Sequence, residues 1–169
     1  AIELEGHPDN VAPAIYGNMI IAFMEDGNLY HESIKVPEAI RFLAMVPDFE
    51  LSTEKARAVL PKEIPHKHGV FNVSRCALLI AAFTKNNLDL VKAACKDKFH
   101  QDYRSHLINN YDDIVAYANS LDSLGTFLSG AGPTIMTLAK DSDNEILDKM
   151  KSYLSTLEDN WQILDLHCD

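Results

Sequence analysis

Residues 125–139, with the sequence GTFLSGAGPTIMTLA, place two short apolar runs on either side of a loop of small residues. Short apolar runs bounded by glycine and proline are typical of buried strands, so we predict strands at 125–128 and 134–139. Small side chains let successive backbone N–H groups turn toward an anion, which makes the loop 129–134 a candidate phosphate site. A plain glycine-rich turn remains the alternative, because the Walker pattern GxxxxGK[ST] is absent.

The segments on both sides of this stretch extend the pattern to an α+β fold. Upstream, the apolar run 17–23 is followed by an Asp-Gly step that favours a hairpin with a return strand at 29–36. Further strands are predicted at 40–47 and 161–166, and Ser52 or Thr53 can cap a short helix. Helical spacing of apolar residues predicts helices at 54–60, 65–85, 88–96, 111–123 and 144–157. Together, these predicted elements form a set of helices on one face of a largely antiparallel sheet.

Composition limits the classes of function. The chain has 169 residues, 47% of them hydrophobic, and a formal net charge of −10, which argues against a nucleic-acid binder that relies on basic side chains. Three cysteines far apart, without a CxxC pair, are typical of a reducing compartment. No apolar stretch approaches the ~20 residues of a membrane span, so we expect a soluble, cytoplasmic protein that does not bind membranes. The sequence begins without an initiator Met and reaches a polar motif within its first residues, so we expect it to continue a longer polypeptide.

That opening motif, EGHPDNVAPAIYG at 5–17, combines two prolines, two glycines and several polar side chains. We predict a rigid polar loop here, since prolines disfavour helix interiors and central strands. Asp9 or Asn10 could cap a helix, or could join His7 in a binding loop, and both possibilities stay open.

Two arginines are the best candidates for anion binding. Arg57 and Arg104 could each be an ordinary surface charge, and together they could form the bidentate clamp that a carboxylate requires. His66 and His68 lack the HExxH or paired-cysteine context of a metal site, and we treat them as polar residues near a helix start.

Four segments, taken in order, resemble the homoserine kinase family of the GHMP kinase superfamily: EGHPDNVAPAIYGN, LSTEKARAVLP, FHQDYR and LSGAGPT. The resemblance implies a ferredoxin-like GHMP C-terminal domain at 38–169, preceded at 1–37 by the last loop and strands of an N-terminal domain of the ribosomal S5 domain 2-like type. It implies transfer of the γ-phosphoryl group of ATP, with Mg²⁺, to the side-chain hydroxyl of L-homoserine in threonine biosynthesis.

The chain departs from the family in one respect. The family's PxxxGxGSSA phosphate loop is not found in these residues, so the chain resembles only the second half of a member. We therefore expect weak ATP binding and little or no turnover without the N-terminal half of the kinase. Homodimerisation is left open.

The resemblance also assigns roles to individual residues. Glu5 matches the magnesium ligand, with Glu3 as the fallback. His7 and Asp9 match substrate-contacting positions, and Arg57 and Arg104 match the two arginines that bind the amino acid's carboxylate.

The remaining roles concern the reaction centre. Asn10 would aim the attacking hydroxyl, because an amide cannot accept its proton. The phosphate side would be lined by Thr53, Ser129, Gly130, Ala131, Gly132 and Thr134. Two alternatives stand beside this interpretation: another GHMP kinase with a different alcohol substrate, and a non-catalytic module for amino-acid binding or dimerisation.

Overall fold

The computed structural model describes residues 7–168. The helices are α1 (Pro8–Tyr16), α2 (Thr53–Ala58), α3 (His66–Thr84), α4 (Val91–Ala94), α5 (Gln101–Arg104), α6 (Tyr111–Ser120) and α7 (Glu145–Leu154), with 3₁₀ turns at Leu88–Leu90 and Ser105–Leu107. The strands are β1 (Met19–Glu25), β2 (Asn28–Ile34), β3 (Ile40–Pro47), β4 (Gly125–Leu128), β5 (Ile135–Lys140) and β6 (Trp161–Leu166).

The N-terminal part is a helix packed on a hairpin. Strands β1 and β2 pair antiparallel around Asp26 and Gly27, which both have positive φ, so the hairpin predicted from the Asp-Gly step is confirmed. Helix α1 packs against β1, and the Tyr16 ring stacks on His31 of β2 with ring centroids 4.9 Å apart. The helix is thereby fixed to the hairpin.

The prediction of a rigid polar loop around His7 to Asn10 was wrong, because this segment begins α1. Pro8 occupies the first helical position, where a backbone N–H needs no partner, and Pro13 removes only one internal hydrogen bond. Gly17, at φ 68°, ends the helix and donates its N–H to the Pro13 carbonyl at 2.9 Å. His7 is the N-cap without a side-chain bond, so neither Asp9 nor Asn10 caps this helix.

The main sheet has the strand order β4-β5-β3-β6, and every neighbouring pair is antiparallel. The chain passes from β3 through helices to the β4–β5 hairpin, then through α7 to β6. This βαββαβ order, with β3 and β5 as the central strands, is the ferredoxin-like arrangement that was predicted.

The prediction that helices would cover one face of the sheet was wrong, because apolar clusters lie on both faces. On the first face, Leu43 and Met45 of β3 pack against α6 and α7. On the second face, Ile40 of β3 and Leu138 of β5 pack against the C-terminal end of α3. Met19 and Ile34 of the hairpin join that second cluster. Strand alternation explains this, since successive side chains point to opposite sides and both sets are apolar here.

Helix boundaries differ from the predicted ones by a few residues. The predicted helix at 88–96 is a 3₁₀ turn followed by the short α4, and α6 and α7 each end about one turn early. Ser52 is the cap of α2, since its hydroxyl accepts a hydrogen bond from the Lys55 N–H at 3.2 Å.

A domain boundary between residues 37 and 38 stays a prediction. None of the helices within residues 7–168 is long and apolar enough to cross a bilayer.

Gly125, at the start of β4, offers a test of core packing. A Cβ there would lie 2.6 Å from Cys95 Sγ and 3.1 Å from Cys95 Cβ, so Gly125→Ala should lower the free energy of unfolding by about 1–3 kcal/mol. Cys95→Ala in the same chain should recover part of that loss by removing the sulfur. Urea unfolding of both variants measures the loss and the recovery in the free energy of unfolding.

Gly69→Ala is the matched control. Gly69 lies inside α3, and a methyl group added to it would have nothing within 4 Å, so alanine should leave stability unchanged or raise it by up to ~1 kcal/mol. Equal effects at positions 69 and 125 would contradict the tight contact between Gly125 and Cys95.

Candidate functional site

Arg104, at the end of α5, joins two segments that are distant in sequence. Its Nε donates to the Ala56 carbonyl of α2 at 2.9 Å, and its Nη1 donates to the Gly130 carbonyl at 3.1 Å. Its Nη2 makes no hydrogen bond to any residue between 7 and 168. Two of the three guanidinium nitrogens are therefore held by backbone carbonyls, and the third, Nη2, is available for a ligand.

Arg57, one residue beyond Ala56 on α2, lies near enough to act electrostatically on Arg104. Partial burial and then the positive charge of Arg57 lower the pKa of the Arg104 guanidinium. Within the described part of the chain, no carboxylate lies within 4.0 Å of either arginine. Two neighbouring cations that have no ion-pair partner between residues 7 and 168 form a place where an anionic group would be favoured.

The segment that presents Arg104 is organised by Asp97. Its Oδ2 accepts hydrogen bonds from the backbone N–H groups of Phe99, His100 and Gln101 at 2.7–3.0 Å. Its Oδ1 accepts from the side-chain amide of Asn72 on α3 at 2.6 Å. Burial alone would raise the pKa of Asp97, but these hydrogen bonds outweigh burial and lower it, so the carboxylate stays ionised.

Gln101 connects the same segment to the sheet. Its Oε1 accepts from the Leu128 N–H and from the Tyr111 hydroxyl, both at 2.9 Å. The pKa of Tyr111 is raised to about 12, mainly by burial, so the phenol keeps its proton and donates at neutral pH. The Gln101 side chain thus fixes α5 against the last residue of β4, directly before the glycine loop.

The loop at 129–134 is a compact turn between β4 and β5. Ser129 N–H donates to the Thr134 carbonyl and Gly132 N–H donates to the Ser129 carbonyl, both at 2.9 Å. Gly132 has φ 86°, and a Cβ there would lie 3.0 Å from Leu128 Cδ1, so glycine is required. The N–H groups of Gly130 and Ala131 donate to no acceptor within residues 7–168, and they are available for an anion.

The structure brings some of the predicted site residues together. Arg57, Arg104 and the loop around Gly130 form one region through the two hydrogen bonds of Arg104. Thr53 is the exposed first residue of α2, one turn before Arg57. We call this region the arginine site; it comprises Thr53, Arg57, Arg104, Ser129, Gly130, Ala131, Gly132 and Thr134.

Other predicted residues are not joined to the arginine site. His7, Asp9 and Asn10 are exposed at the start of α1, and no hydrogen bond or ion pair within residues 7–168 links them to Arg57 or Arg104. Glu5 and Glu3 lie outside the described residues. Within those residues no group of three His, Cys, Asp or Glu side chains could hold a metal ion.

Sequence reasoning missed four residues that support the site: Asn72, Asp97, His100 and Gln101. A usable signal was present for Asp97, because an Asp that precedes a short helix commonly accepts backbone N–H bonds from its first turn. For Asn72, which lies 25 residues away from Asp97 in sequence, there was no local signal.

The structure thus combines a ferredoxin-like sheet, a glycine loop between β4 and β5, and a neighbouring pair of arginines. Residues 79–156 match the model of the GHMP kinases C terminal family.

Within that family the similarity is to homoserine kinases. The chain is 50% identical over 169 residues to the homoserine kinase of Clostridium botulinum and 46% identical to that of Clostridium beijerinckii. Both alignments cover 100% of this chain and 57% of the relative, so the chain spans little more than half of their length. The crystal structure of homoserine kinase from Cytophaga hutchinsonii superposes with a TM-score of 0.88 at 27% identity, over 95% of this chain and 51% of the other.

Proposed function

We propose that this chain supplies the acceptor-binding part of a kinase that transfers the γ-phosphoryl group of ATP to the side-chain hydroxyl of L-homoserine. The observation that carries the proposal is the pair Arg57 and Arg104, two neighbouring cations without a carboxylate partner in the described residues. The acceptor's carboxylate would neutralise both. The alignment with homoserine kinases, at 50% identity over every residue of the chain, supports homoserine among carboxylate-bearing alcohols.

Arg104 would bind one carboxylate oxygen through its available Nη2, and Arg57 the other. Because Nε and Nη1 are already bonded to Ala56 and Gly130, the guanidinium has lost most of its freedom before the substrate arrives. Pre-ordering of this kind lowers the entropy lost on binding. The fixed carboxylate would then define where the hydroxyl at the other end of homoserine lies.

The loop at 129–134 would face the phosphates. The N–H groups of Gly130 and Ala131 are suited to an anionic oxygen, and Ser129 and Thr134 add hydroxyl donors. Thr53, at the start of α2, lies one turn before Arg57 and on the same face of that helix. In this proposal the arginine site holds the acceptor at one end and contacts the transferred group at the other.

The reaction would be an in-line displacement. The homoserine oxygen forms a bond to the γ-phosphorus, the bond from that phosphorus to the β–γ bridging oxygen breaks, and ADP leaves with the electron pair. The hydroxyl proton goes to the transferred phosphate or to solvent, since the amide of Asn10 cannot accept it. His7, Asp9 and Asn10 keep their proposed contacts with the substrate, and Asn10 orients the hydroxyl.

Magnesium and nucleotide binding are part of the proposal. Mg²⁺ would neutralise phosphate charge when bound, with Glu5 as its ligand. The part of the relatives that lies outside the alignment would supply the main phosphate-binding loop, and the complete kinase would act in the cytoplasm.

Phosphoryl transfer is tested with a full-length form that covers the whole length of the relatives. Incubation with MgATP and L-homoserine should release ADP and give one new phosphate-ester signal in the ³¹P NMR spectrum, identified as O-phospho-L-homoserine. The 169-residue chain alone is assayed in parallel, and we expect no turnover above background. Binding of homoserine to the full-length form without any phosphoryl transfer would contradict the proposal and favour an amino-acid-binding module.

A further inference from the structure

We infer that His100 is a positioning residue for Arg104: its neutral imidazole accepts a hydrogen bond from the guanidinium and fixes the orientation in which Arg104 receives the acceptor's carboxylate. The inference rests on the proposed function, since the orientation matters only if Arg104 binds a carboxylate. His100 does not touch the substrate in this scheme. It acts through Arg104.

The geometry assigns the tautomer. Arg104 Nη1 lies 3.3 Å from His100 Nδ1, and a guanidinium can only donate, so Nδ1 carries no proton in this arrangement. The imidazole proton is then on Nε2, which lies 3.9 Å from Asp97 Oδ1. The negative charge of Asp97 on that side favours this tautomer over the other.

His100 is itself held in place by the hydrogen bonds of Asp97. The Asp97 carboxylate accepts the His100 backbone N–H at 2.7 Å and is bonded to Asn72 of α3. The long helix α3 therefore fixes Asp97, Asp97 fixes the backbone and the tautomer of His100, and His100 fixes the Nη1 group of Arg104. Each step is a hydrogen bond except the contact of 3.9 Å between Asp97 Oδ1 and Nε2 of the neutral imidazole, and the carboxylate-binding Nη2 lies at the end of the series.

The charged groups around His100 keep it neutral near pH 7. Burial lowers the pKa of the His100 imidazole, the carboxylate of Asp97 opposes this, and the positive charge of Arg104 lowers it further. From α2, Arg57 adds positive charge at Arg104. Asn72 of α3, which bonds to Asp97 and to the Lys98 N–H, is neutral, and the neighbouring Lys98 and Asp102 pair with each other.

Protonation of His100 would abolish the contact. An imidazolium carries a proton on Nδ1, so Nδ1 would face Arg104 Nη1 donor to donor, with two positive charges side by side. Because the pKa of His100 is lowered from its usual value near 6.5, the contact is intact at pH 7.5 and is lost as the pH falls through that lowered pKa. The KM for homoserine should therefore rise at acid pH.

Two substitutions separate the hydrogen bond from the bulk of the side chain. In His100→Asn the amide oxygen can occupy the position of Nδ1 and accept from Arg104 without titrating. In His100→Gln the amide lies at the position of Nε2 and leaves Nη1 without its acceptor. His106→Asn is the matched control, because His106 is exposed on the next turn and has no hydrogen bond or ion pair in the described residues.

The measurement is the KM for homoserine, the KM for ATP and kcat of the full-length form between pH 5.5 and 8. For the unmodified enzyme and His106→Asn, we expect the KM for homoserine to rise toward acid pH, by about five- to tenfold once His100 is protonated, as expected for loss of one hydrogen bond to a charged group. His100→Asn should keep the low KM and remove the pH dependence. His100→Gln should show the raised KM at every pH, and the KM for ATP should change less than twofold throughout.

A second readout does not depend on activity. Long-range ¹H–¹⁵N correlation spectra of the chain, with the His100 signals assigned by their loss in His100→Asn, should show the Nε2–H tautomer at pH 7.5. An Nδ1–H tautomer or an imidazolium at that pH would overturn the inference whether or not the protein is a kinase. Homoserine phosphorylation with the same acid rise of KM in His100→Asn as in the unmodified enzyme would overturn it too, and would leave the proposed function standing. Absence of any homoserine phosphorylation is instead the failure of the proposed function.

Discussion

Replacing Arg104 by alanine in the full-length form should raise the KM for homoserine about 10- to 100-fold and leave the KM for ATP nearly unchanged. Hydrogen bonds between charged partners contribute about 1.5–3 kcal/mol, and each 1.4 kcal/mol corresponds to a factor of ten. Arg104→Lys keeps the charge, but a single ammonium group cannot reproduce the donors that reach the Ala56 and Gly130 carbonyls. The lysine variant should therefore lose most of the same affinity.

A substrate without the carboxylate gives the internal control for this prediction. 3-Aminopropan-1-ol has the hydroxyl and the amine of homoserine but no carboxylate, so it should be a poor substrate, and Arg104→Ala should not make it poorer. Lys149→Ala, which removes a positive charge from an exposed pair with Glu145, should leave all constants unchanged. If Arg104→Ala weakens homoserine and the carboxylate-free analogue equally, the carboxylate is not what Arg104 binds.

Replacing Asp97 by alanine should lower the free energy of unfolding of the chain by about 3–5 kcal/mol. The side chain is only 9% exposed and accepts four hydrogen bonds, three of them from backbone N–H groups that would be left without a partner. Asp97→Asn should cost less, because one amide oxygen can still accept. Urea unfolding at pH 7, with the slope compared between variants, measures both effects.

Asp102→Ala is the control for the Asp97 prediction. Asp102 pairs with Lys98 at 2.8 Å on the surface, with both side chains well exposed, and its loss should change stability by no more than about 0.5 kcal/mol. The Asp97 contribution has a pH signature as well. Since the folded state lowers the pKa of Asp97, the stabilisation is present above the usual carboxyl pKa and is lost as the pH falls through the lowered value. Equal costs for the two alanine variants would show that Asp97 does not organise the segment.

Most strands and the hairpin could be predicted because their signals are local. The Asp26-Gly27 step sets the turn, apolar runs mark β3 to β5, and Ser52 has the chemistry of a helix cap. Helix α1 was not predicted, because we took the two prolines at 8 and 13 as evidence against a helix without considering where in a helix they would lie. Pro8 stands at the one place in a helix where proline costs nothing.

The residues along the chain were enough to predict the α+β class, the acidic character that argues against a basic nucleic-acid binder, and the two arginines as the best candidates for binding an anion. Three features were visible only in three dimensions: Arg57 lies close to Arg104, the backbone carbonyls of Ala56 and Gly130 hold Arg104, and Asp97 organises the segment that carries Arg104. The reason is physical. Strand alternation and helix caps depend on neighbours along the chain and leave a periodic trace, whereas a hydrogen bond from a side chain to a remote carbonyl leaves no trace in the residues near either partner.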